Sequence, residues 1–72
     1  MLFHERLKEL RLMIGCTQKE MATLLEISTR SYQRYEQGIV EPNIAALLTL
    51  AERFNISLDY MLGLTDEMRR IR

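Results

Sequence analysis

Apolar and polar positions alternate along this chain with a helical period, and short capping sequences cut the pattern into five segments. In the first, Phe3, Leu7, Leu10 and Ile14 fall on one side, with Glu5, Arg6, Lys8 and Glu9 mostly off it. This spacing predicts a helix over 2–14, stopped by Gly15. Thr17-Gln18-Lys19-Glu20 reads as a capping box, in which the threonine hydroxyl takes an orphan amide and the glutamate reaches back. It predicts a second helix over 18–25, with Cys16 and Met21 placed for a hydrophobic staple across its start. Ser28 caps a third segment, 29–37, and Gly38 stands where a left-handed stop is favoured. Only Glu26, Ile27 and Ser28 separate it from the second helix, so the two axes must cross steeply.

Residues 39–42 read as a loop, because Pro42 disfavours helix at Glu41. Asn43 caps a fourth helix running to Phe54, with Ile44, Leu47, Leu48, Ala51 and Phe54 expected to face inward, and Asn55 as its stop. Ser57 caps a short last helix over 58–62, ended by Gly63. Residues 65–72 are expected to be a frayed tail or a further half-helix. The pattern predicts an all-α fold, a compact five-helix bundle in one domain over 1–64 with a short tail over 65–72.

The size and composition agree with that. Seventy-two residues allow one small core, and an apolar content of 47% is ample for it. Glycine and proline are scarce, so no linker is expected, and no internal repeat is evident. The longest apolar run, Ile44 to Ala51, is broken by Thr49 and is far too short to span a bilayer, so no membrane role is expected. Met1-Leu2-Phe3 leads straight into charged residues, which argues against a signal peptide. The single cysteine, Cys16, cannot form an internal disulfide, which fits a reducing cytoplasm. One histidine and one cysteine on different segments make no catalytic constellation, and His4 reads as a surface residue. Neither a glycine-rich phosphate loop nor metal-ligand spacing occurs. An enzyme, a cofactor, a metal and a small-molecule ligand are all unexpected.

The chemistry lies in the third segment. Its outward side carries Thr29, Arg30, Gln33 and Arg34, and polar and basic side chains at that spacing can reach base edges in a DNA major groove. With the helix before it, the segment makes a helix-turn-helix, and double-stranded DNA is the expected partner. Ten basic and ten acidic residues give zero net charge, so affinity for phosphate must come from local clustering. Arg30 and Arg34 lie one turn apart, and Arg69, Arg70 and Arg72 cluster in the tail. Acidic residues such as Glu41, Glu52, Asp59, Asp66 and Glu67 fall elsewhere, which predicts a basic face and an acidic one. Each of Arg30 and Arg34 could bond guanine O6 and N7 bidentately; on helix spacing alone they could equally be solvated surface arginines.

At this point the chain resembles the Cro/cI-type helix-turn-helix family, also called the XRE family. The matching residues are E-R-L-K-E-L-R at 5–11, T-Q-K-E-M-A-T-L-L at 17–25, I-S-T-R-S-Y-Q-R-Y-E-Q-G at 27–38, E-P-N at 41–43 and S-L-D-Y-M-L-G at 57–63. The resemblance implies a five-helix bundle whose third helix enters the major groove while the second lies across the backbone. It implies base reading by Thr29, Arg30 and Arg34. Gln33 is grouped with them from its outward position, although the family position more often faces the rim. Gln18, Arg11, Gln37 and Asn43 match backbone-contacting positions, and Gln18 also steadies the recognition helix. Arg11 and Glu36 match a buried charge pair. Two departures stand out: Glu26 occupies a turn position that is usually glycine, and Tyr32 replaces a branched aliphatic and needs a partner for its hydroxyl. The implied function is a transcriptional regulator, most often a repressor, bound as a homodimer to a palindromic operator. Leu58, Met61, Leu62, Leu64 and Met68 are the expected dimer surface, with core packing the alternative for Leu58 and Leu62. A protein-interaction module or an antitoxin on the same fold are the alternatives.

Overall fold

The computed structural model describes residues 2–70; Met1, Ile71 and Arg72, the last of which was counted in the basic tail, lie outside the described residues. Five helices follow in order: α1 (Phe3–Ile14), α2 (Gln18–Leu24), α3 (Thr29–Gln37), α4 (Ile44–Phe54) and α5 (Leu58–Met61). The fold is all-α.

Local chemistry sets the helix ends. The Thr17, Ser28, Asn43 and Ser57 side chains accept from the backbone N–H of Glu20, Ser31, Ala46 and Tyr60, satisfying one orphan amide each. At the start of α1, where leucine offers no acceptor, the Glu5 carboxylate takes the Leu2 N–H at 2.8 Å. All five C-termini close alike. Gly15, Glu26, Gly38, Asn55 and Gly63 take positive φ. The N–H of the following residue then returns to the carbonyl five positions back: Cys16 to Arg11, Ile27 to Ala22, Ile39 to Arg34, Ile56 to Ala51 and Leu64 to Asp59. Gly38 is required twice over: its φ is +76°, and a Cβ there would lie 2.9 Å from the His4 imidazole Nδ1.

The core joins Leu7 and Leu10 of α1, Met21 and Ala22 of α2, Leu25, Tyr32 and Tyr35 of α3, Ala46 and Leu50 of α4, Ile56, and Tyr60 and Met61 of α5. Cys16, half-buried just before α2, packs against it. α3 rests on α2 and α1, while α5 bridges α1 and α4.

Four expectations are corrected. In α4, Ile44 is 73% and Leu48 47% exposed, and Ala46 and Leu50 take the inward positions. Six of the first seven residues of that helix are apolar, so the pattern fits more than one rotation and tertiary packing decides. Ile14, expected on the inward side of α1, is likewise exposed. Arg6, placed off the apolar face, is buried: its guanidinium lies 3.8 Å above the Tyr60 ring centroid and bonds Asp66 at 2.9 Å, leaving Nε unpartnered. Finally, residues 65–70, the described part of the expected tail, form neither a half-helix nor a frayed end. The segment folds back antiparallel to Ile56, with the Ser57 N–H on the Met68 carbonyl at 2.9 Å and Met68 against the core.

Candidate nucleic-acid interface

α3 has two unlike faces because its polar and aromatic residues are phased by the helix. Tyr32, Tyr35 and Glu36 are buried. Arg30, Ser31, Arg34 and Gln37 are exposed, and Thr29 and Gln33 are half-buried toward the edges. Arg30 and Arg34 form no ion pair among the described residues, so both guanidinium groups stay free for an anionic partner.

The buried face is organised around one carboxylate. Glu36 accepts from Arg11 Nε at 2.5 Å and Arg11 Nη2 at 3.2 Å, a two-pronged pair between α1 and the end of α3. The Tyr32 hydroxyl, one turn earlier on α3, donates to the same carboxylate at 2.5 Å. Gln18 Nε2, from the first turn of α2, donates to it at 3.2 Å. Arg11 Nη1 also holds the Cys16 carbonyl at 3.2 Å, fixing the chain as it enters α2. One acceptor thus ties α1, α2 and α3 together and sets how the recognition helix sits.

The electrostatics follow from that arrangement. Burial works to raise the Glu36 pKa, but the hydrogen bonds from Arg11, Tyr32 and Gln18 outweigh it, and the carboxyl lies below its ordinary range. Burial, then the bond to ionised Glu36, pushes the Tyr32 phenol well above its ordinary value. The hydrogen bond to Glu36 raises Arg11. Glu36 is therefore ionised near neutrality, held by one charged donor, Arg11, and two neutral ones, Tyr32 and Gln18.

The structure brings some of the sequence-derived residues together and separates others. Thr29, Arg30, Gln33 and Arg34 lie along one side of α3, with Gln18 bonded to Gln33 at 3.1 Å across the α2–α3 gap. Arg11 sits mainly inside, its side chain 12% exposed. Asn43 uses its Oδ1 to cap α4 at 2.8 Å, and its amide N–H groups are left to donate to another partner. Gln37 is exposed in the last turn of α3. Sequence reasoning did not find the Tyr32–Glu36 bond; the residues' spacing of four on one helix was the available signal. Glu26 has φ +59°, the conformation its turn position demands.

The expected dimer surface needs revision. Met61 is fully buried and Met68 packs on the core, so neither is free. Leu62 and Leu64 remain exposed at 43% and 74%.

A helix-turn-helix family model matches residues 7–61, from the first core leucine of α1 to the last residue of α5. The chain belongs to the Cro/cI-type helix-turn-helix family. Curated relatives of this Cro/cI-type domain include the transcriptional regulator ImmR of Bacillus subtilis, 42% identical over 82% of this chain and 46% of its own length. Another is the cryptic phage CTXphi transcriptional repressor RstR of Vibrio cholerae, 38% identical over 93% of this chain and 62% of its own. The chain therefore spans about half the length of the curated relatives it matches, from 46% to 62% in these two. Among solved structures, a transcriptional regulator from Listeria innocua superposes with a TM-score of 0.82 at 33% identity, over 92% of this chain and 62% of that one. The P22 c2 repressor, in complex with a synthetic operator, superposes with a TM-score of 0.81 at 26% identity, over 90% of this chain and 98% of that one. Among the described residues no helix is long and apolar enough to cross a membrane, and no cluster of three or more potential ligands could hold a metal ion.

Proposed function

We propose that this domain is a sequence-specific DNA-binding transcriptional regulator, a repressor, that reads the major groove with α3. The observation that carries the reading is the pair of exposed, unpaired arginines on α3, Arg30 and Arg34, on a helix locked to α1 and α2 through Glu36. Near-complete superposition on the operator-bound P22 c2 repressor supports it. Thr29, Arg30, Gln33 and Arg34 would reach base edges, while Gln18, Gln37, Asn43 and Arg11 would serve the sugar-phosphate backbone. Each good bidentate arginine–guanine pair supplies about 1–3 kcal/mol of discrimination. With zero net charge, long-range attraction is weak, and these few contacts must supply affinity as well as specificity.

On this reading the protein works in the cytoplasm as a homodimer on a palindromic site, with half-sites roughly 34 Å apart. Leu62 and Leu64, left exposed beyond α5, would contribute to the dimer contact. Selection from a random DNA pool tests the proposal. A motif with dyad symmetry is expected; recovery of no enriched sequence would contradict sequence-specific binding.

A further inference from the structure

The Glu36 cluster does not end at Gln18. Gln18 Oε1 accepts from Gln33 Nε2 at 3.1 Å, so an unbroken chain of side-chain bonds runs from the buried carboxylate to the edge of the outward face of α3. The direction of every bond in that chain follows from the chemistry of its first member. A carboxylate only accepts. Gln18 must therefore turn its NH2 toward Glu36, which leaves its carbonyl oxygen toward Gln33. Gln33 must then answer with its own NH2. Side-chain amides can ordinarily be built either way round, but here neither can be reversed without setting two acceptors or two donors against each other.

We infer that Glu36, through Gln18, fixes the amide of Gln33 so that it reads adenine. One Gln33 N–H is held by Gln18. What remains is the carbonyl Oε1, which has no partner among the described residues, and the second N–H. That acceptor–donor pair complements adenine in the major groove, with Oε1 taking the N6 amine and the N–H meeting N7. A guanine offers two acceptors at the same edge, O6 and N7, and would oppose the fixed carbonyl. Gln33 is the reading residue; Gln18 and Glu36 are positioning residues. The inference rests on the DNA-binding proposal for its second half only, since the fixed amide is a property of the free protein. It also gives Gln33 a specific role at a family position more often turned to the rim.

Two measurements separate the halves. In the free protein, side-chain amide NMR signals of Gln33 should exchange slowly with solvent and shift away from those of exposed Gln37, which serves as an internal reference. Gln18→Met should return Gln33 to the behaviour of Gln37. Wild-type Gln33 already indistinguishable from Gln37 would overturn the relay. In selection from a random DNA pool, wild type should prefer adenine at one position of each half-site. Gln33→Met should lose that preference by about 5- to 150-fold and keep the others. Gln18→Met should weaken the same position, because Gln33 is then free to rotate. A wild-type motif that both variants leave unchanged would overturn adenine reading. A pool with no enriched motif, beside a protected Gln33 amide, would overturn the DNA-binding proposal and the base assignment while the relay stands.

Discussion

Tyr32→Phe isolates the hydroxyl that holds Glu36 and changes almost nothing else. Tyr32 is fully buried, and its ring packs in the core, so phenylalanine keeps the packing. Only the bond to Glu36 is lost. Glu36 retains Arg11 and Gln18 as donors, so no bare charge is left behind. A hydrogen bond to a charged group contributes about 1.5–3 kcal/mol. In a domain of this size each kcal/mol moves the melting temperature by roughly 4–8 °C, so a fall of about 6–24 °C is expected. The acid dependence has a definite sign. Glu36 has a folded pKa below its unfolded value, so its stabilisation is full above the unfolded value, about 4.3, and is lost as pH falls through the folded one. The gap between wild type and variant should therefore be constant near neutral pH and narrow below about pH 4. Urea unfolding followed by circular dichroism measures it, and the midpoint should fall with an unchanged slope. A variant within about 0.5 kcal/mol of wild type at pH 7, or a gap that widens in acid, would refute Glu36 as the hub of the network.

Three further outcomes follow. Glu26 sits at φ +59°, so Glu26→Gly should stabilise the domain by about 0.5–1 kcal/mol and Glu26→Val should destabilise it; equal melting temperatures for all three would mean that the turn is unstrained. Arg6→Ala should cost at least about 1 kcal/mol more than Asp66→Ala, because Arg6 is buried over Tyr60 while Asp66 is fully exposed and its ion pair is screened; equal losses in thermal unfolding would assign the energy to the ion pair instead. Leu62→Glu with Leu64→Glu should raise the dimer dissociation constant in analytical ultracentrifugation while leaving the circular dichroism spectrum intact, and an unchanged dissociation constant would place the dimer contact elsewhere.

What could be read in the sequence was local. Thr17, Ser28, Asn43 and Ser57 cap where their chemistry puts them, and Glu26 and Asn55 take the left-handed turns that helix closure requires. The outward position of Arg30 and Arg34 follows from helix spacing once Tyr32 and Tyr35 are inside. The rest depends on residues distant in sequence. Nothing near Ile44 tells which side of a helix with six apolar residues among its first seven will meet the core. Arg6 is buried because Tyr60 and Asp66 arrive over it from the other end of the chain. The return of residues 68–69 along Ile56 is a long-range backbone pairing with no local signature. The bond between Gln18 and Gln33 joins two helices and required their packing to be known.

The central claim is that α3 reads DNA through Arg30 and Arg34, and it is tested most directly by comparing affinities for a selected operator and for a scrambled duplex at one fixed salt concentration. Fluorescence anisotropy with wild type, Arg30→Ala and Arg34→Ala gives the ratio of the two affinities for each protein. Both substitutions are at exposed positions and should leave the fold intact. The ratio should fall by about 5- to 150-fold for an arginine that reads a base. A correctly folded double variant that still discriminates between the two duplexes as well as wild type would contradict the account.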